Sequence, residues 1–93
     1  MQIQHNENGN CGKFYIEENG KPLAELVYNM DVEGIITIEH TQVSDKLAGK
    51  GIGNELVRNV VEYARKSHLK IDPQCPFARE VIHKTKDYQD VLA

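Results

Sequence analysis

Three glycines stand at every second position in Leu47-Ala-Gly-Lys-Gly-Ile-Gly53. Glycine in a helix or strand interior costs about 0.5–1 kcal/mol relative to alanine, so this spacing implies a backbone kept bare on purpose. A strand, a glycine loop and a helix N-terminus in that order present unpaired N–H groups at the positive end of a helix dipole, which suits a phosphate. Two side chains add chemistry. His40 precedes the loop, and histidine is the residue that exchanges protons near neutral pH. Cys75 directly precedes Pro76, a residue favoured in the first helical turn, so its thiol falls at or near an N-cap. Such a position lowers a cysteine pKa from about 8.5 toward roughly 3.5–7.5 and makes the thiol an acid or a nucleophile.

Known phosphate loops narrow the reading. A Walker loop needs Gly, four residues, then Gly-Lys-Ser/Thr, but Gly49-Lys50 is followed by Gly51 and Ser44 occupies the place of the first glycine. The dinucleotide pattern GxGxxG requires glycine or alanine at Asn54 or at Leu56, depending on register, and neither is present. A nucleotide-hydrolysing loop and a nicotinamide or flavin site are therefore disfavoured.

The elements around these residues follow from periodicity. Lys13–Ile16 and Leu23–Met30 read as strands joined across Asn19-Gly20, a pair that accepts positive φ at both centres of a tight hairpin turn. Asp31–Gly34 makes a second tight connection to Ile35–Val43, the most β-branched run in the chain, giving a three-stranded antiparallel meander. The period then changes. Ile52, Leu56, Val57, Val60, Val61 and Ala64 recur at helical spacing, and the helix should stop near Ser67, with Glu62 placed to pair with Lys66. Leu69-Lys70-Ile71 is a short strand ended by Asp72-Pro73. The tail from Phe77 to Leu92 reads as one or two short helices.

The totals set bounds. With 93 residues, 40% hydrophobic, the chain is one small domain spanning 1–93. The net charge of −3 and pI of about 5.7, with scattered basic residues, argue against a nucleic-acid surface. No apolar run approaches the ~18 residues of a membrane span and the polar start resembles no signal peptide, so a cytoplasmic protein off the membrane is expected. Cys11 and Cys75 are expected as thiols, with Cys11 near a flexible N-terminus. No pair of histidines or cysteines has zinc-site spacing, so no metal is expected.

Val43 followed by Leu47-Ala48-Gly49-Lys50-Gly51-Ile52-Gly53-Asn54-Glu55-Leu56-Val57 resembles the acyl-CoA-binding motif of the GNAT superfamily of N-acetyltransferases, Arg/Gln-x-x-Gly-x-Gly/Ala. Gly51 and Gly53 take the motif glycines and Ala48 stands at the Arg/Gln position; a register shifted by two puts Lys46 there instead. Ile38-Glu39-His40-Thr41-Gln42-Val43 and Ile71-Asp72-Pro73-Gln74-Cys75-Pro76-Phe77-Ala78 are similar to segments of compact single-domain GNAT-like proteins. The resemblance implies a minimal α+β GNAT (acyl-CoA N-acyltransferase) fold. It would comprise the meander, the glycine loop, a central helix, a short parallel strand splayed from the third where coenzyme A enters, and C-terminal helices. It implies acetyl-CoA as acyl donor, with the pantetheine arm along Gln42 and Val43 and the pyrophosphate over Gly49, Lys50, Gly51, Ile52, Gly53 and Asn54. Transfer goes to an acceptor, in the family an amine.

From the residues alone, Cys75 reads either as a catalytic thiol or as a small buried apolar side chain beside Pro76 and Phe77. His40 reads either as a proton acceptor or as a half-exposed strand residue, and Tyr88 as packing. Three functions stand: an acetyltransferase using Cys75 and His40, a module that binds acetyl-CoA or coenzyme A without turnover, or a protein-interaction domain that retains only the fold. The acceptor and the oligomeric state are not encoded in any pattern of the chain.

Overall fold

The computed structural model describes residues 2–93. Five strands form one sheet in sequence order: β1 (Gln4–Asn8), β2 (Cys11–Glu18), β3 (Lys21–Asn29), β4 (Ile35–Val43) and β5 (Lys70–Pro73). The first four pair antiparallel and β5 runs parallel to β4. Between β4 and β5 come a 3-10 turn (Asp45–Leu47), the glycine loop and helix α1 (Ile52–Ser67). Helix α2 (Pro76–Lys84) and a final 3-10 stretch (Lys86–Val91) follow β5. This is the α+β arrangement the element order predicts.

Alternation decides which face is covered. Phe14, Ile16, Ala24, Leu26, Tyr28, Ile36, Ile38 and Ile71 are buried on one side of the sheet, under Leu56, Val57, Val60, Val61 and Ala64 of α1 and Ala78 and Ile82 of α2. Each large apolar side chain removed from water this way contributes about 1.5–3 kcal/mol. The opposite face carries Lys13, Tyr15, Glu25 and Val27, which are only half-buried. The Asn19-Gly20 turn has φ of 53° and 79°, the positive pair that a two-residue hairpin requires.

The structure corrects two expectations. The meander has four strands, because the polar segment Gln4–Asn8 pairs with β2 and is not a flexible leader. It has no apolar alternation to announce it; His5 supplies the inward contact, stacked on the Phe14 ring at 4.0 Å between centroids. Glu62 pairs with Arg58 at 3.1 Å, not with Lys66, because Arg58 reaches both Glu55 and Glu62. Arg65, exposed on the surface of α1, bridges to Asp90 at 2.8 Å and ties the C-terminal stretch to α1. Among the described residues no helix is long and apolar enough to cross a membrane.

One irregularity in β4 governs the site. Val27 pairs with His40 while Tyr28 pairs with Ile38, so Glu39 is an extra residue and the alternation reverses past it. Thr41 and Val43 then join Ile36 and Ile38 on the helix-covered face, opposite Leu26 and Ala24. His40 and Gln42 turn to the open face, opposite Val27 and Glu25.

Candidate functional site

The parallel pair β4 and β5 is short. Pairing runs from Ile35 with Lys70 to Ile38 with Pro73 and ends there. The amides of both Gln74 and Cys75 donate to the Ile38 carbonyl at 3.1 Å, which turns the chain out of the sheet and into α2. Among the described residues no strand continues beside Glu39–Val43 on that side. The sheet therefore opens into a cleft at the point where β4 runs toward the glycine loop.

The loop glycines have separate reasons to be bare. Gly49 and Gly51 have φ of 77° and 71°, a left-handed conformation that disfavours any Cβ, although space around both is open. Gly51 is the N-cap of α1 and brings no side chain to bond the helix end. The first backbone bond there is Glu55 N–H to the Gly51 carbonyl at 3.1 Å, so the amides of Ile52, Gly53 and Asn54 precede it and face the end of the helix. Gly53 is helical, and a Cβ on it would lie 2.6 Å from Cζ of Phe77. Its bareness lets the Phe77 ring lie against the first turn of α1.

A cavity of about 400 Å³ occupies this place, lined by Thr41 and Val43 of β4, Ala48, Gly49 and Gly51 of the loop, and Asn54 and Phe77 beyond it. Ile52 and Gly53 also border it. Of the sequence-predicted residues, Val43, Gly49, Gly51, Ile52, Gly53 and Asn54 are thus brought together. Lys50 is exposed in the loop and does not line the cavity. Gln42 faces a separate space of about 240 Å³ beside Leu23 and Glu25.

Cys75 is the N-cap of α2, where the sequence placed it, and is buried at 5% exposure. Its Sγ lies 3.5 Å from Oγ1 of Thr41. Burial pushes the thiol up, but the Ala78 amide, the Thr41 hydroxyl and the Phe77 and Thr41 amides outweigh it, and the net direction is below the ordinary thiol value. The lowering thus comes from several groups around the sulfur together and not from one partner. His40 lies apart. Its Nε2 is 3.4 Å from Oε2 of Glu25 on the open face, so the bulge at Glu39 keeps the imidazole and the thiol on opposite sides of the sheet. Thr41 and Phe77 are the neighbours that no spacing in the sequence tied to Cys75 and Gly53. Among the described residues no group of His, Cys, Asp or Glu is arranged to hold a metal ion.

A mixed sheet that parts between its parallel strands, with a glycine loop feeding a helix at the opening, defines the N-acetyltransferase fold. The chain belongs to the family described as GCN5-related N-acetyl-transferase, whose profile matches residues 13–91. It is similar to a GCN5-like protein of Staphylococcus aureus known from an NMR structure. That likeness has 42% identity and a TM-score of 0.80, over 99% of this chain and 87% of the other. More distant likenesses show the fold alone. The ribosomal-protein-alanine N-acetyltransferase of Brucella melitensis is 15% identical with a TM-score of 0.66, over 84% of this chain and 64% of its own. The ribosomal-protein-S18-alanine N-acetyltransferase of Escherichia coli is 16% identical with a TM-score of 0.67, over 84% of this chain and 53% of its own. The chain thus spans less than two thirds of either enzyme. Comparison with the curated proteins gives no match.

Proposed function

We propose that the chain is an acetyl-CoA-dependent acetyltransferase acting on an amine acceptor. The observation that carries this reading is the continuity of the cavity from Thr41 and Val43, at the unpaired edge of β4, to the helix-end amides of Gly53 and Asn54. An unpaired strand edge suits the amide-bearing pantetheine arm along Gln42 and Val43. The loop from Gly49 through Lys50, Gly51, Ile52 and Gly53 to Asn54 suits a pyrophosphate, with Lys50 adding charge from outside.

The acyl donor supplies an acetyl group activated as a thioester. The acceptor amine attacks the carbonyl carbon as a neutral base, the C–N bond forms, the C–S bond breaks, and the thiolate takes up a proton. Cys75, held at the helix end beside Thr41, is placed to give that proton or to carry the acetyl group as its own thioester. His40, oriented by Glu25 on the open face, is placed to take the proton from an amine arriving there. The two side chains serve the two sides of the sheet, which fits separate roles for donor and acceptor.

A second reading has its own support. The same separation leaves Cys75 without a histidine beside it, as expected of a module that binds acetyl-CoA or coenzyme A without turnover. Titration with acetyl-CoA followed by intact-mass measurement, on wild type and Cys75→Ala with a panel of amines, separates the readings. A thermal shift with acceptor acetylation, or an acetyl adduct lost in Cys75→Ala, supports transfer. Binding with no release of coenzyme A under any acceptor supports the module, and no binding at millimolar ligand overturns both.

A further inference from the structure

The two edges of the sheet are finished differently. On the β5 side, Leu92 bridges in parallel to Ile71 and the Ala93 amide donates to the Ile71 carbonyl at 2.9 Å, so the C-terminal stretch covers that edge. On the β1 side, among the described residues, no strand pairs with the outer edge of Gln4–Asn8. Its five residues are exposed, hold an unbroken register with β2, and include neither proline nor lysine. Proline, lysine, bulges and covering segments are the devices that ordinarily blunt a free edge. The strand is nevertheless held firmly. His5 stacks on Phe14, meets Tyr63 edge-on at 4.8 Å and bonds the Tyr28 hydroxyl, so β1 is ordered before any partner arrives.

An edge of this kind accepts a further strand, and its own side chains decide which strand fits. Antiparallel pairing of Gln4–Asn8 with itself about Asn6 sets His5 opposite Glu7, Gln4 opposite Asn8, and Asn6 opposite its own copy. Each imidazole then meets a carboxylate, and each side-chain amide meets another that both donates and accepts. A two-fold centred on His5 or on Glu7 instead sets two imidazoles or two carboxylates face to face. We infer that a second copy of this chain pairs along β1, across a two-fold axis through Asn6, and joins the two sheets into one. Directly opposed residues share a face, so His5 and Glu7 lie on the helix-covered side, where Tyr63 touches both, and Gln4, Asn6 and Asn8 lie on the open side. The β1 edge is the far one from the parting of β4 and β5, so the pairing leaves the cavity at the glycine loop of each copy open. The paired strands are short and polar, which makes the dimer weak and reversible.

Sedimentation equilibrium of the wild-type chain from about 0.01 to 1 mM should show a monomer passing into a dimer, the range of a small polar interface. Asn6→Glu sets a carboxylate against its own copy at the axis, while within one chain it faces Lys13 of β2, so the monomer is preserved. The dimer should weaken by about fivefold, with the melting temperature of the dilute protein unchanged. A second measurement fixes the register. Cα atoms directly opposite across an antiparallel pair lie about 4.5–5.5 Å apart, within disulfide range. In a Cys11→Ser background, Asn6→Cys should therefore cross-link to its own copy under mild oxidation, the bond being located by peptide mass. Gln4→Cys and Asn8→Cys should cross-link when mixed, and each alone only slowly. A monomer at every concentration overturns the inference. So does a dimer that Asn6→Glu leaves unchanged, or one in which Asn6→Cys cross-links no faster than Gln4→Cys alone.

Discussion

The Phe77 ring occupies the space a Cβ on Gly53 would need, with Cζ 2.6 Å from that position. The last glycine of the loop is therefore tied to α2 and not only to a ligand. Gly53→Ala forces the ring to move, and because Phe77 is half-exposed it can swing at a cost of about 1 kcal/mol, the low end for overpacking. Phe77→Leu shortens the obstacle, so in a double-mutant cycle the alanine should cost less in that background. Urea denaturation of the four proteins measures the coupling, and strict additivity contradicts the contact.

Gly12 makes the same kind of contact with a partner that cannot move. A Cβ there would lie 2.3 Å from Cζ of Tyr28, a fully buried ring whose hydroxyl is 2.6 Å from Nε2 of His5. Gly12→Ala should destabilise by about 1–3 kcal/mol, more than Gly53→Ala, and lower the melting temperature by several degrees. Calorimetric scans of the two variants side by side check the order.

Thr41 holds Cys75 across the cleft, and its hydroxyl is one of the groups that keep the thiol below its ordinary value. Thr41→Val removes that group and keeps the shape. The pH midpoint for alkylation at Cys75 should rise in the variant, because burial, which pushes the thiol up, then meets less opposition. Cys11 is exposed on β2 and should react at an unchanged rate, giving an internal standard when the adducts are separated by peptide mass.

Much of this was legible because local pattern and final packing agree. Ile35–Val43 is strand from end to end, α1 ends at Ser67 as its periodicity requires, and the residue before Pro76 is the N-cap. β1 was not legible, since QHNEN has no apolar residue and its inward contact comes from a histidine ring. The bulge at Glu39 was hidden for a different reason. It exists only in the pairing with β3, yet it decides that His40 faces away from Cys75. Contacts such as Thr41 with Cys75 join residues 34 apart and leave no mark in the spacing of either segment.

The same His5 that anchors β1 should make stability depend on pH. Burial holds its imidazole below the usual histidine value of 6.5, and Glu7, 3.9 Å away, opposes this only partly. Phe14 stacks on the ring, Tyr63 meets it edge-on at 4.8 Å, and Tyr28, whose own phenol burial pushes well up, stays protonated beside Nε2. Tyr63 in turn donates to Glu7. Because the folded state binds the proton less readily than the unfolded chain, the unfolded chain holds more protons wherever His5 titrates. Stability is then full above about pH 6.5 and declines as the pH falls through that value toward the lower folded one. His5→Gln cannot titrate and should lose this slope while keeping any acid loss caused by carboxylates at lower pH. Denaturation midpoints of both proteins between pH 7.5 and 5 decide it: parallel curves would falsify the role of His5, whereas curves that converge as the pH falls establish it.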